Sequence, residues 1–259
     1  MSFTDLTVQN GGTYKPDGYL IQGTGTCTVD AGGALSVSGG DGNTTSAAGA
    51  NGISSTSRPL GRGTNATAST AGAGTNNSTN VTTRPQQLPT SGATSGAGGV
   101  GGSGAGGAGG LQSGSYDSST LVVQVANPLN AYALVFGAYG GSASGTWVPV
   151  PTGRGGTGAG GNGAAAGTGG GGSGGMMVLA FSAIVNNGSI ESKGGNTGNA
   201  VNNNSGTGGG GGGGMIFPIC NTYTGTAPDV SGGTTIGTPL GTGTAGTVGQ
   251  SGYTYTFIV

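Results

Sequence analysis

The sequence predicts an all-β chain with irregular Gly-rich regions. Short strands, in a sandwich or a stack of β-coils, combine with extended polyglycine-type helices and almost no α-helix. Three observations predict this. First, 67 of 259 residues are Gly and 10 are Pro, while Val, Ile, Leu and Phe supply only 41, about 16%, less than an ordinary core needs. The disorder signature is nonetheless incomplete, because six Lys and Arg stand against seven Asp and Glu for a net charge of −1. Second, short apolar runs alternate with Thr, Ser or Gln and are separated by Gly turns. Third, Gly tracts run straight into apolar strands, and the pattern repeats. No window carries an apolar stripe at helical spacing, and each Gly inside a helix costs about 1 kcal/mol relative to Ala.

Taken in order, residues 1–38 are an N-terminal strand region, with runs at 3–8, 19–22, 26–29 and 34–38 and turns at Gly11-Gly12 and Gly32-Gly33. Residues 39–115 contain almost no large apolar side chains and read as an extended arm of Gly, Ser, Thr and Asn, lying against its own molecule or another subunit. The third region, 116–259, returns to strand signals at 120–126, 131–136 and 147–150. Asn127-Pro128-Leu129-Asn130 joins the first two as a hairpin. Gly tracts follow at 153–175 and 206–214. Gly174-Gly175-Met176-Met177-Val178-Leu179-Ala180-Phe181 echoes Gly213-Gly214-Met215-Ile216-Phe217-Pro218-Ile219 at an offset of 39 residues. A second echo sets Gly33-Ala34-Leu35-Ser36-Val37-Ser38-Gly39-Gly40-Asp41 against Gly188-Ser189-Ile190-Glu191-Ser192-Lys193-Gly194-Gly195-Asn196.

The tracts explain how so few large side chains can hold a fold. Polyglycine adopts an extended helix of three residues per turn with every N–H and C=O pointing outward, so parallel copies bond to one another laterally. At about 3.1 Å per residue, 153–175 would span roughly 70 Å if continuous.

Composition also excludes chemistry. There is no His, which removes Ser-His-Asp and Cys-His catalysis, His-ligated metals and His-based pH switches. The six basic residues, Lys15, Arg58, Arg62, Arg84, Arg154 and Lys193, are too scattered to neutralise a run of phosphates, so no nucleic-acid partner is expected. The most apolar stretch, 176–185, is too short for a bilayer, which needs roughly 20 residues. The first residues show no signal peptide, and synthesis in a cytoplasm is expected. Cys27 and Cys220 fit no metal spacing; two buried free thiols are expected, with a late disulfide as the alternative. Gly153-Arg154-Gly155-Gly156-Thr157-Gly158 and Gly171-Gly172-Ser173-Gly174-Gly175 match dinucleotide and nucleophile-elbow patterns, but chance supplies such matches where a quarter of residues are Gly. The seven acids stand singly, so no glycosidase pair or repeat-type Ca²⁺ coil is indicated, and neither enzyme activity, metal nor cofactor is expected.

The residues with recognition potential are Tyr139, Trp147, Glu191, Lys193, Tyr223 and Asp229, aromatic or charged groups placed between Gly and strand segments. Rigid amphipathic rings beside Asn, Thr and Arg suit glycans or exposed protein loops. The competing reading makes them ordinary packing and turn residues.

The runs Phe3-Thr4-Asp5-Leu6-Thr7-Val8, Pro16-Asp17-Gly18-Tyr19-Leu20-Ile21 and Thr28-Val29-Asp30-Ala31-Gly32-Gly33-Ala34-Leu35, with Ile184-Val185-Asn186-Asn187-Gly188-Ser189-Ile190, resemble Gly-rich virion proteins of tailed bacteriophages over about half of the chain. The Gly tracts are similar to those of tail-fibre tip adhesins of T-even-like phages, where polyglycine helices form a rigid core and intervening loops contact the host receptor. The N-terminus departs from those adhesins, with no matching fibre-attachment domain. The resemblance implies a structural protein on the virion surface, in a tail fibre or as a head decoration protein that cements the capsid. Its partners would be other virion proteins, fibre or major capsid subunits, and a glycan or outer-membrane protein receptor. An extracellular filament or cell-surface subunit is the further alternative. A homo-oligomer, guessed as a trimer, is expected because closed assemblies cover strand edges.

Overall fold

The computed structural model describes residues 1–17, 19–42, 120–127, 130–137, 168–200 and 204–259. The expected strand at 147–150, and the expected arm and tract over 43–115 and 153–167, lie outside the described residues. No helix occurs among the described residues, and so none is long and apolar enough to cross a membrane.

The strands are short. The first six are β1 (Ser2–Phe3), β2 (Leu6–Val8), β3 (Thr13–Tyr14), β4 (Ile21–Gly23), β5 (Thr26–Val29) and β6 (Ala34–Ser36). β7 (Thr120–Asn127) and β8 (Asn130–Gly137) follow, then β9 (Met176–Ala180), β10 (Ala183–Asn186) and β11 (Ser189–Glu191). The chain closes with β12 (Met215–Cys220), β13 (Thr222–Gly225), β14 (Tyr253–Thr254) and β15 (Phe257–Ile258). β7 and β8 pair antiparallel with Asn127 opposite Asn130, the expected hairpin. All other named pairings are parallel, in a six-stranded sheet (β1-β4-β9-β12-β14, with β15 also on β12), a four-stranded sheet (β2-β5-β10-β13) and a three-stranded sheet (β3-β6-β11).

The chain visits these three sheets in a fixed order. β1, β2 and β3 are repeated one level on by β4, β5 and β6, then by β9, β10 and β11. The next level is β12, β13 and a bridge from Asp229 to Glu191, and β14 and β15 begin another. Both sequence echoes are registers of this arrangement. Met176 stands opposite Met215, and Ala34 opposite Ser189.

The run expected at 3–8 is not one strand. It turns at Thr4 and Asp5, because the Asp5 carboxylate accepts the Thr26 N–H (2.6 Å) and the Thr4 carbonyl accepts the Gly25 N–H (2.8 Å). A corner held by a side-chain acceptor passes the chain from one sheet to the next. The run expected at 34–38 ends its strand at Ser36, since Val37 and Ser38 already bond into the Gly-rich layer.

Alternation along the strands builds the core. Ile21, Met177, Leu179, Ile216 and Cys220 meet Val8, Cys27, Val29 and Ile184 of the second sheet, with Leu35 and Ile190 of the third, in one cluster enclosed by all three. β9 and β12 are buried on both faces, because the intervening residues Met176, Val178, Ala180, Met215, Phe217 and Ile219 form a second cluster on the outer face of the six-stranded sheet. Strands buried on both faces read as unbroken apolar runs, as these do.

The first level passes to the second through the short 15–20 connection, but from the second level onwards the chain leaves the third sheet through a Gly-rich segment and returns to the first sheet through another. Residues 168–175 and 205–214 are buried throughout. Thr168, Gly171 and Gly174 donate their N–H groups to the carbonyls of Gly206, Gly209 and Gly212. Thr207, Gly210 and Gly213 donate in turn to Thr244, Thr247 and Gln250. Segments running the opposite way bond through the remaining positions: Gly195 to Gly172, Gly211 to Gly195, Gly233 to Gly211 and Gly249 to Gly233, all between 2.7 and 2.9 Å. The spacing of three recurs in the sterics. A Cβ on Gly208, Gly211 or Gly214 would stand 2.5, 2.0 and 2.1 Å from the carbonyl oxygens of Gly169, Gly172 and Gly175. Only Gly permits that approach, and buried backbone groups are paired without helix or pleated strand.

Candidate functional site

The structure brings together three of the six residues singled out in the sequence. Glu191 ends β11, pairing with Ser36 on one side and bridged to Asp229 on the other, where the chain passes from the third sheet into the Gly-rich layer. Two residues on, Lys193 falls on the same side, as extended backbone requires. Its Nζ lies 2.6 Å from Glu191 Oε2, with the lysine side chain 40% exposed and the glutamate 17%. Ser189 Oγ donates to the same carboxylate oxygen (3.1 Å). Asp229 is held by its backbone, its N–H donating to Ile190 O and its carbonyl accepting from Ser192 N (both 2.8 Å), and its Oδ1 accepts the Ser231 N–H (2.9 Å).

Burial works against the Glu191 charge, but the hydrogen bond and charge of Lys193, with the hydroxyls of Ser36 and Ser189, outweigh it and hold the carboxyl below the usual carboxylate range. The Lys193 ammonium is pushed up, chiefly by its hydrogen bond to Glu191, against partial burial and with help from the charges of Asp229 and Asp41. One cation therefore serves acids from three successive levels. A carboxylate accepting a lysine and a serine at full charge is a poor proton acceptor, so the cluster works as an electrostatic clamp between levels.

Tyr223 lies elsewhere, on β13, with its ring packed on the enclosed core. Its hydroxyl donates to Thr226 O (2.7 Å), and the buried Asn186 Nδ2 donates to the same carbonyl (2.8 Å). Gly225, opposite Asn186 in the register, has φ +93°, and a Cβ there would stand 2.1 Å from Asn186 O. Tyr223 thus fastens a tight turn at the end of β13. Burial raises its hydroxyl pKa, and burial alone pushes the thiol of Cys27 up to about 12 and that of Cys220 up to about 11. Both cysteines are free and buried. Tyr139 and Trp147 lie outside the described residues.

Sequence reasoning missed a set of side-chain acceptors in the Gly-rich layer. Ser38 Oγ accepts the Lys193 N–H (2.9 Å), and Asp41 Oδ1 the Asn196 N–H (2.6 Å). Asn196 Oδ1 then accepts both the N–H (2.8 Å) and the hydroxyl (2.9 Å) of Thr234. The side-chain oxygens of Asn199, Asn204, Thr168 and Thr207 accept the backbone N–H groups of Thr238, Thr242, Gly208 and Gly246. The signal was present as Asp41 and Asn196 at equivalent places in the second echo, but without the register they read as turn composition.

Where they are described, the outgoing and returning Gly-rich segments turn towards one another at the end away from the strands. The Asn204 and Leu240 turns lie side by side there, with Leu240 N–H donating to Ser205 O (3.2 Å). Gly42, where 43–167 depart, stands against Gly169, beside the point of their return. Among the described residues no group of three His, Cys, Asp or Glu side chains is placed to hold a metal ion. Comparison of the chain with protein-family models, with curated proteins and with solved structures found no match.

Proposed function

We propose that the chain is a non-enzymatic structural protein on the surface of a bacteriophage particle, a tail-fibre or receptor-binding component. In this reading the three sheets are a stack of β-coils, continued by a bundle of polyglycine-type helices. The observation that carries it is the lateral bonding of the Gly-rich segments at every third residue, with the described ends at Asn204 and Leu240 side by side. Such a bundle is stiff without a large apolar core and presents its connecting loops at a tip, as an adhesin requires. The candidate residues divide accordingly: Glu191, Lys193 and Asp229 hold the base of the bundle, while Tyr139 and Trp147, within 43–167, belong to the segment that leaves from the tip end.

A head decoration protein is the second reading. It is favoured by the sequence of 39–115, read as an extended arm, since an arm reaching a neighbouring capsid subunit ties subunits together. Synthesis in the host cytoplasm and assembly as a homo-oligomer fit both. Electron microscopy of native particles labelled with an antibody against this chain separates them. Label at fibre tips supports the adhesin, label over the head supports decoration, and particles without label would refute both.

A further inference from the structure

The bonds between neighbouring Gly-rich segments run across the segments, so their strength depends on the direction of a load. Ser192, Gly194, Thr197 and Ala200 donate their N–H groups to the carbonyls of Asp229, Ser231, Thr234 and Thr238, at 2.8 to 3.1 Å. The returning segment 207–213 is bonded in the same way to 244–250. Side chains add crosswise bonds at the same joint, where Asn196, Asn199, Asn204 and Thr207 accept from Thr234, Thr238, Thr242 and Gly246.

A pull on Leu240 along the segments meets two obstacles. The first is covalent. Residues 229–238 and 243–252 join the Leu240 turn to the strands, and at about 3.1 Å per residue against a limit of roughly 3.3–3.6 Å, a ten-residue leg yields only roughly 2–5 Å. The second is register. Sliding one segment past its neighbour breaks the whole set of crosswise bonds together, and they re-form only after three residues, roughly 9 Å. Smaller slips are blocked, because a Cβ on Gly233 or Gly237 would overlap the carbonyl oxygen of Gly195 or Gly198. A slip of one residue towards the Leu240 turn would bring Ile236, in place of Gly237, onto Gly198 O.

A pull that parts the levels meets neither obstacle. β10 and β13 pair residue for residue, from Ala183 with Thr222 to Asn186 with Gly225. Load applied at the Asn186 end falls on the last pair first, and the bonds then fail one after another.

We propose that the chain is a load-bearing strut with a built-in direction, strong against pull from its strands towards the Leu240 turn and weak against pull that separates successive levels. Held by its strands and pulled at its far end, such a molecule passes force to its anchor almost without lengthening. The inference goes beyond the virion reading and does not depend on it, because it rests on bond directions alone.

Single-molecule pulling on the full chain tests it. Asn187, Thr224 and Leu240 are exposed and accept cysteine handles, while the native Cys27 and Cys220 are buried. Asn187→Cys with Leu240→Cys pulls along the segments, and Asn187→Cys with Thr224→Cys pulls the same two levels apart. At one loading rate the first pair should rupture at a force at least about twofold higher, since its bonds must fail together. Ile236→Cys, 65% exposed on the same outgoing segment, replaces Leu240→Cys as an independent far-end handle and should agree. A rupture force equal to or below that of the Thr224 pair, at either far-end handle, would overturn the inference.

Discussion

Replacing Gly211 by Ala tests whether backbone-to-backbone packing holds the Gly-rich layer together. The new Cβ would stand 2.0 Å from Gly172 O and 2.6 Å from Gly172 C, both backbone atoms. Ordinary contact begins near 3.4 Å, so the two segments must part by more than an ångström. That movement strains the bonds converging there: Gly211 N–H to Gly195 O (2.9 Å), Gly195 N–H to Gly172 O (2.7 Å) and Gly233 N–H to Gly211 O (2.8 Å). A buried group left unpaired costs roughly 1–3 kcal/mol, so losing two or three gives about 3–6 kcal/mol. The stiffer unfolded chain returns only about 0.4–1 kcal/mol. The net, about 3–5 kcal/mol, is a large part of the roughly 5–15 kcal/mol that folded domains possess. Urea unfolding followed by circular dichroism measures it, with Ile236→Ala as a control at a site 65% exposed, expected within about 0.5 kcal/mol of the parent. A Gly211→Ala protein within about 1 kcal/mol of the parent would refute the argument, since the segments would then be free to separate.

Removing the acceptor in Asn196→Ala should cost about 1–2 kcal/mol, because two bonds to Thr234 disappear at a site open to water; the midpoint of the same urea titration reports it. Lys193→Met should shift the acid limb of a thermal-melt profile upward in pH, because Glu191 then keeps its burial but loses the cation that lowers its pKa. In the parent, the depressed Glu191 pKa adds stability above the ordinary carboxylate range that disappears as pH falls through the folded value, while melting between pH 5 and 8 stays nearly flat. On the alkaline side the raised thiols act in the opposite sense. Stability is complete below the unfolded thiol pKa and declines as pH rises from about 9 towards 12, so Cys27→Ala should flatten that limb in melts at pH 8 and 10.5. Native protein at pH 8 should leave both thiols unmodified by an aromatic disulfide reagent until urea is added, and prompt labelling of either would contradict their burial.

Much of the strand pattern was legible because apolar periodicity survives in short runs. The 176–181 and 215–219 runs, the hairpin and the two echoes all correspond to strands or registers. What escaped was encoded in geometry. The corner at Asp5 depends on an acceptor reaching Thr26, a contact no local window contains. β3 (Thr-Tyr), β13 (Thr-Tyr-Thr-Gly), β14 (Tyr-Thr) and β15 (Phe-Ile) are only two to four residues long, too short for a periodicity to show, and are fixed as strands by the neighbour they pair with. Glu191, Lys193 and Asp229 could be picked out as charged residues among Gly, yet only the register of successive levels reveals that they meet. The acceptor roles of Asn196, Asn199 and Asn204 were hidden likewise, because Asn beside Gly reads as a turn wherever the chain is taken alone.

The pairing of β6 with β11 governs the order in which the molecule can form. Ser189 must find Ala34 across the whole of 43–167, whereas Met215 finds Met176, and Tyr253 finds Met215, over far shorter separations. Loop-closure entropy makes the longer search costlier by about 1 kcal/mol, before any slowing from the rest of the chain. The pairings within 1–38 and within 168–259 are therefore local, and the joining of these two parts through β4–β9, β5–β10 and β6–β11 is the long-range step. During synthesis the N-terminal residues emerge first and wait, with Ile21, Cys27 and Leu35 unburied, until the ribosome has made the surface that receives them.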